Sequence, residues 1–237
     1  MSTVANPGLV KAGPKLAPLF VGFMALSAAM TLVQVASATH DWHSGQFLGL
    51  LIAGAVSSRL KVKLPGLDGN MSVNLPFIFI AMTQLSVGEA LLVALVSVFI
   101  QSIPQGPHKF VPVQVLFNLS TALVAAGLGW HVFRFVLDSH LNVAAALALS
   151  CATHFLVSTV PVAVILSLVE SRPAVRTWMN IVQLSFPYYL ASTGLVSIAA
   201  GLGGHTNWPT LVGVTCVMFV TYRSYRLYFN AMRTQLG

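Results

Sequence analysis

Two histidines stand close enough in the chain to act together: His40 and His43 bracket Asp41 and Trp42. Imidazoles at that spacing could share one divalent ion, or let the segment change charge between about pH 5 and 8. His154 is placed differently, in the middle of a long apolar run with Ser150 and Ser158 four residues to either side. Serine is a poor metal ligand, so His154 is expected to bond to a neighbouring helix as a neutral imidazole, to relay protons, or to meet a ligand. Uncharged polar residues also recur at helical spacing. Gln114 and Asn118 are four apart, and Asn180 and Gln183 three apart, so each pair shares a helix face. Together with His154 they would line a polar pocket between the two helices; otherwise they serve as hydrogen-bond glue between helices. Pro187 is expected to kink the second of these helices just before Tyr188 and Tyr189.

Catalytic signatures are missing. The chain has no Walker loop, no Gly-x-Ser-x-Gly, no His-Glu-x-x-His and no Asp-rich magnesium motif, and its five acidic residues are too few to supply paired catalytic carboxylates. A non-catalytic protein without a cofactor is the expectation.

The elements that position these residues must lie in a membrane. Charged residues make up 7% of the 237 residues, against roughly 25% in soluble domains, and 56% are hydrophobic. Mean hydropathy is +0.82. So few charges cannot coat a soluble fold of this size, which excludes a soluble globular enzyme. Twelve basic residues against five acidic ones give a net charge of +7. The basic residues stand at the ends of apolar runs and not along one stripe, which points to membrane orientation and away from nucleic acid. Cys151 and Cys216 each lie inside an apolar run and suggest neither a disulfide framework nor a zinc site.

Eight apolar runs are predicted as spans: about 16–37, 45–58, 73–86, 88–103, 111–136, 141–169, 177–202 and 210–228. The second to fourth are shorter than the usual ~17–25 residues, so a six-span version with 73–103 folded as one re-entrant hairpin is the alternative. With both termini cytoplasmic, eleven of the twelve basic residues fall inside and only Arg134 outside. His40, His43, His131, His140 and His205 would then gather at the outer rim with Asp41, Glu89 and Asp138. No polar stretch is long enough for a soluble domain, so residues 1–237 form a single polytopic membrane domain of all-α class.

The segment 58–77 breaks this pattern. Arg59, Lys61 and Lys63 alternate with Leu60, Val62 and Leu64, a period of two that predicts a strand. Pro65-Gly66 and Asp68-Gly69-Asn70 supply turn residues, so a small interfacial β-hairpin is expected near 59–75. Its basic side chains either fix topology or contact anionic lipid headgroups or a partner. A short helix ending in Ser58-Arg59-Leu60, then this alternation, Leu64-Pro65-Gly66, and Ser72-Val73-Asn74-Leu75-Pro76-Phe77 leading into the next helix resembles the N-terminal multi-pass, MASE-like sensory regions of bacterial signalling proteins. Phe117-Asn118 and the closing 222–228 segment, rich in tyrosine and arginine, are similar too. In that family such regions precede HD-GYP or GGDEF output domains, which handle cyclic di-GMP. No output domain follows Gly237, so the resemblance implies a fragment or a stand-alone membrane module, unable to make or cleave a cyclic dinucleotide.

The expected function is a sensory or regulatory input module of the bacterial inner membrane. It would sit in the lipid bilayer as a homodimer and pass its signal to a cytoplasmic signalling partner through the last helix. The alternative is a small-molecule transporter or its substrate-binding subunit, with the pocket between the fifth and seventh helices.

Overall fold

Among the described residues eight helices form along the apolar runs, between the breakers: α1 (Leu16–Ala36), α2 (Ser44–Ser57), α3 (Leu75–Gln84), α4 (Val87–Ser102), α5 (Pro112–Asp138), α6 (Val143–Glu170), α7 (Ala174–Gly201) and α8 (Trp208–Leu236). They are seen in a computed structural model that describes residues 16–36, 44–63, 70–104, 110–170, 173–201 and 208–236. Among the described residues four helices, α1, α5, α6 and α7, are long and apolar enough to cross a membrane. At 14, 10 and 16 residues, α2, α3 and α4 are shorter than a usual span.

Local chemistry sets the boundaries around α3 and α4. Pro76 in the first turn of α3 costs no hydrogen bond there, because that amide would have no helical partner. Ser86 then caps α4. Its hydroxyl accepts from Glu89 N, while the Glu89 carboxylate accepts from Ser86 N at 3.1 Å, a reciprocal capping box. With only Leu85 and Ser86 between them, α3 and α4 form a tight helical hairpin.

α3 is the centre of the packing. Every residue from Leu75 to Met82 is buried, as expected of a helix that is hydrophobic all round. Its C-terminal end meets one end of the bundle, where Leu85 O accepts from Trp130 Nε1 at 3.2 Å and Gln84 pairs with Gln46. Its first residue, Leu75, donates its N–H at 3.1 Å to the hydroxyl of Tyr188, halfway along α7. Ten residues rise only about 15 Å, so α3 fills one half of the bundle's height. The expected third span, 73–86, is a ten-residue buried helix: it starts two residues later, at the Asn74–Pro76 segment, and ends two residues earlier, where Ser86 caps α4.

α5 packs against α6, α4 and α1, while α7 packs against α6 and α3. Among the described residues close approach favours glycine at three points, one of them Gly127 of α5, where a Cβ would lie 2.7 Å from Thr31 Cγ2 of α1. A Cβ on Gly54 of α2 would lie 2.6 Å from Ser97 Oγ of α4, and one on Gly129 of α5 would strike Met82 of α3. Ahead of α3, Lys61–Lys63 (β1) and Asn70–Ser72 (β2) pair antiparallel, with Lys61 opposite Ser72 and Lys63 opposite Asn70. Strand β1 packs against α8.

Candidate functional site

The half-height of α3 leaves space beside its N-terminus. A cavity of about 750 Å³ lies there, walled by α1, α4, α5, α6 and α7, with Leu75 and Ile78 of α3 at its inner end. It reaches the end of the bundle where Pro18 begins α1, Gln101 ends α4, Gln114 begins α5 and Val169 ends α6. From Val169 to His154 along α6 is about 22 Å of helix rise. The volume falls within the range of small-molecule sites, ~300–1,000 Å³. Most of the wall is apolar, contributed by side chains such as Val98, Phe117, Val162 and Leu166.

Polar groups collect at the two ends of this cavity. Toward the mouth, Asn118 Nδ2 reaches Ser102 Oγ at 3.5 Å, and Gln101 and Gln114 stand nearby on the wall. At the inner end, His154, Ser158 and Tyr189 form one cluster. Tyr189 Oη lies 2.8 Å from Ser158 Oγ and 3.4 Å from His154 Nδ1. Phe79 meets the imidazole edge to face at 5.3 Å, and Phe155 meets the Tyr189 ring at 4.8 Å. Below them Ser72 Oγ donates to Asn74 Oδ1 at 2.8 Å, and Asn74 Nδ2 donates to Ser58 Oγ at 3.1 Å. This buried chain of three residues holds the entry to α3. On the far side of the cluster the bundle is filled by the fully buried side chains Met82, Leu85, Leu91 and Leu147.

Three of the sequence-predicted ligand residues, Gln114, Asn118 and His154, line this one cavity. The other two do not. Asn180 and Gln183 lie on the exposed face of α7, and that helix turns Ile181, Ser185 and Tyr188 inward instead. Nor is the pocket a cleft between α5 and α7 alone, since α3, α4, α6 and α1 all contribute walls. Tyr188, Tyr189 and Ser158 are the site residues that spacing did not single out. A signal for the tyrosines did exist: tyrosine usually sits at membrane interfaces, so two of them in the middle of a long apolar helix mark a buried polar demand.

His40 and His43 lie outside the described residues, as do Asp41 and His205. Among the described residues no three His, Cys, Asp or Glu side chains come close enough to hold a metal ion. Glu89, expected on the outer rim, is fully buried in the α4 capping box, because its carboxylate serves the free amide of Ser86. His131 is exposed and packs edge-on against Trp130 at 5.2 Å, and His140 is exposed beyond α5.

Of the three basic candidates, Arg59 is exposed at the end of α2. Lys61 turns inward, and its Nζ donates to Ile103 O at 2.7 Å, closing the C-terminus of α4 with a cation where the helix dipole favours one. Partial burial, with Arg59 next in effect, holds the Lys61 ammonium below the ordinary lysine range. Lys63 lies in β1. Compared with protein-family models, curated proteins and solved structures, the chain matches none.

Proposed function

We propose that the protein is a non-catalytic, membrane-embedded module that binds a small molecule in the cavity beside α3 and reports its occupancy through helix packing, as a sensory or regulatory input domain would. The observation that carries this reading is the cavity itself: 750 Å³ of mainly apolar wall with a compact polar cluster, His154, Ser158 and Tyr189, at its inner end. A route for the signal is physically continuous. Gln101 and Val98 of α4 line the cavity, Lys61 ties the end of α4 to β1, and β1 packs on α8.

In this reading all eight helices lie within the inner membrane, α3 as the re-entrant half of a hairpin, and both termini face the cytoplasm. The β1–β2 pair then sits at the cytoplasmic interface, with Arg59 among the anionic headgroups. Homodimer formation, and a cytoplasmic partner reached through α8, belong to the same proposal. So does the resemblance to the sensory regions of cyclic di-GMP signalling proteins, which rests on the 58–77 segment. A substrate-binding subunit of a transporter would need a similar pocket. Because buried side chains fill the bundle beyond His154, a blind site is favoured over a translocation path.

The test is occupancy. Ala122 lines the cavity from α5 and is partly exposed to it, so Ala122→Phe should fill the space with little strain on the fold. Mass spectrometry of small molecules retained after purification in nanodiscs is expected to find a species with the native protein that is lost from the variant. Identical profiles from two equally stable proteins would remove the cavity from the function.

A further inference from the structure

The described wall of the cavity is uncharged. Among the described residues that line it there is no Asp, Glu, Lys or Arg. A charged ligand would be stripped of water there without a counter-ion, so the occupant is neutral.

The inner end has a fixed hydrogen-bond polarity that follows from counting protons. Ser158 Oγ lies 2.6 Å from the carbonyl oxygen of His154 and 3.1 Å from that of Phe155. A carbonyl only accepts, so the single Ser158 proton points to the backbone. Toward Tyr189, 2.8 Å away, Ser158 Oγ is then the acceptor, and this contact takes the one Tyr189 proton. The remaining contact, between Tyr189 Oη and His154 Nδ1, needs its proton from the imidazole. An imidazolium would be an unpaired charge in apolar surroundings, so the ring is neutral and has only this N–H. His154 Nε2 therefore carries a lone pair. The residue is 6% exposed, it lines the cavity, and Nε2 has no hydrogen-bond partner among the described residues. The backbone at the start of α3 adds no competing donor. Leu75 N–H is held by Tyr188, Pro76 has none, and Phe77 and Ile78 N–H both bond to Asn74 O.

We propose that the cavity takes a neutral, largely apolar molecule that carries a hydroxyl or N–H and donates it to His154 Nε2. This rests on the reading of the cavity as a ligand site, and it adds the ligand's charge and the direction of its hydrogen bond. Tyr189 and Ser158 are positioning residues that set the imidazole tautomer.

Four probes with one ring system separate the possibilities: β-naphthol, which donates; β-naphthyl methyl ether, which only accepts; naphthalene, which does neither; and β-naphthoate, which is charged. Dissociation constants are measured by equilibrium dialysis of the protein in nanodiscs against empty nanodiscs. Native protein is expected to bind β-naphthol roughly three- to tenfold tighter than the ether, the worth of about one net hydrogen bond, with no measurable binding of β-naphthoate. Ser158→Ala frees the Tyr189 proton for His154 Nδ1 and moves the imidazole proton to Nε2, so the preference should invert toward the ether. Tyr189→Phe removes the constraint and should abolish the preference, and it serves if the serine variant does not fold. Nitrogen NMR of His154 reads the tautomer directly in the native protein.

An ether that binds as well as β-naphthol overturns the donor assignment while leaving the cavity a ligand site. Naphthalene binding equal to β-naphthol would make the cavity a slot for acyl chains and overturn the proposal. β-Naphthoate binding as tightly as β-naphthol overturns the claim of neutrality. If no probe binds the native protein, the reading of the cavity as a ligand site fails as well.

Discussion

At the scale of single residues, the site depends on hydroxyls that settle buried donors. Tyr188 is the clearest case, since its hydroxyl is the acceptor for the first amide of α3. Tyr188→Phe leaves that N–H buried and unpaired, and the expected cost is about 1–3 kcal/mol of stability, read as a lower unfolding temperature in nanodiscs. A variant as stable as the native protein would mean that the α3 amide finds another acceptor. Tyr189 is a different case. Its hydroxyl bonds to Ser158 and His154, so Tyr189→Phe should change which ligands bind more than how stable the protein is. Ser97 Oγ is buried without a hydrogen-bond partner and stands against Gly54. Ser97→Ala is therefore expected to be neutral or to stabilise by up to about 1 kcal/mol, since it removes an unsatisfied polar group.

At the scale of elements, α2, α3 and α4 act as one packed unit. Gly54→Ala places a methyl group 2.6 Å from Ser97 Oγ and should cost about 1–3 kcal/mol through overpacking. Combining it with Ser97→Ala removes the clashing atom, so most of that loss should be recovered. A double mutant whose loss is the plain sum of the single effects would show that the two helices move apart instead. The α4 start is set by the Ser86–Glu89 capping box. Ser86→Ala is expected to cost about 0.5–2 kcal/mol, with faster hydrogen exchange confined to the first turn of α4 as its local mark.

At the scale of the whole molecule, the two ends of the bundle differ in charge. The end reached by the cavity carries Arg59, Lys61 and Arg176 with Glu170, while the opposite end carries Glu89 and Asp138 with Arg134. With the first end cytoplasmic, a cysteine at Arg176 in a protein whose Cys151 and Cys216 are replaced should react with an impermeant maleimide only from the cytoplasmic side, and one at Ser139 only from outside. Both positions are exposed. Labelling of Ser139→Cys from the cytoplasm would reverse the orientation and place the cavity on the outer side.

The helices were legible in the sequence because apolar runs and their breakers act locally. Pro112 and the Ser86–Glu89 pair mark boundaries that no tertiary contact is needed to explain. His154, Gln114 and Asn118 were legible as candidates because a polar group in an apolar run demands a partner. Which face of each helix turns inward was not. α6 is apolar on most sides, so its sequence carries little bias in rotation. α7 has polar residues on more than one face, so packing sets Ile181, Ser185 and Tyr188 toward the cavity while Asn180 and Gln183 face out. Tertiary structure also decided that α3 starts at mid-height, where Tyr188 receives its first amide. The space left there is the cavity, and a space between six helices is a property of their arrangement, not of any one segment.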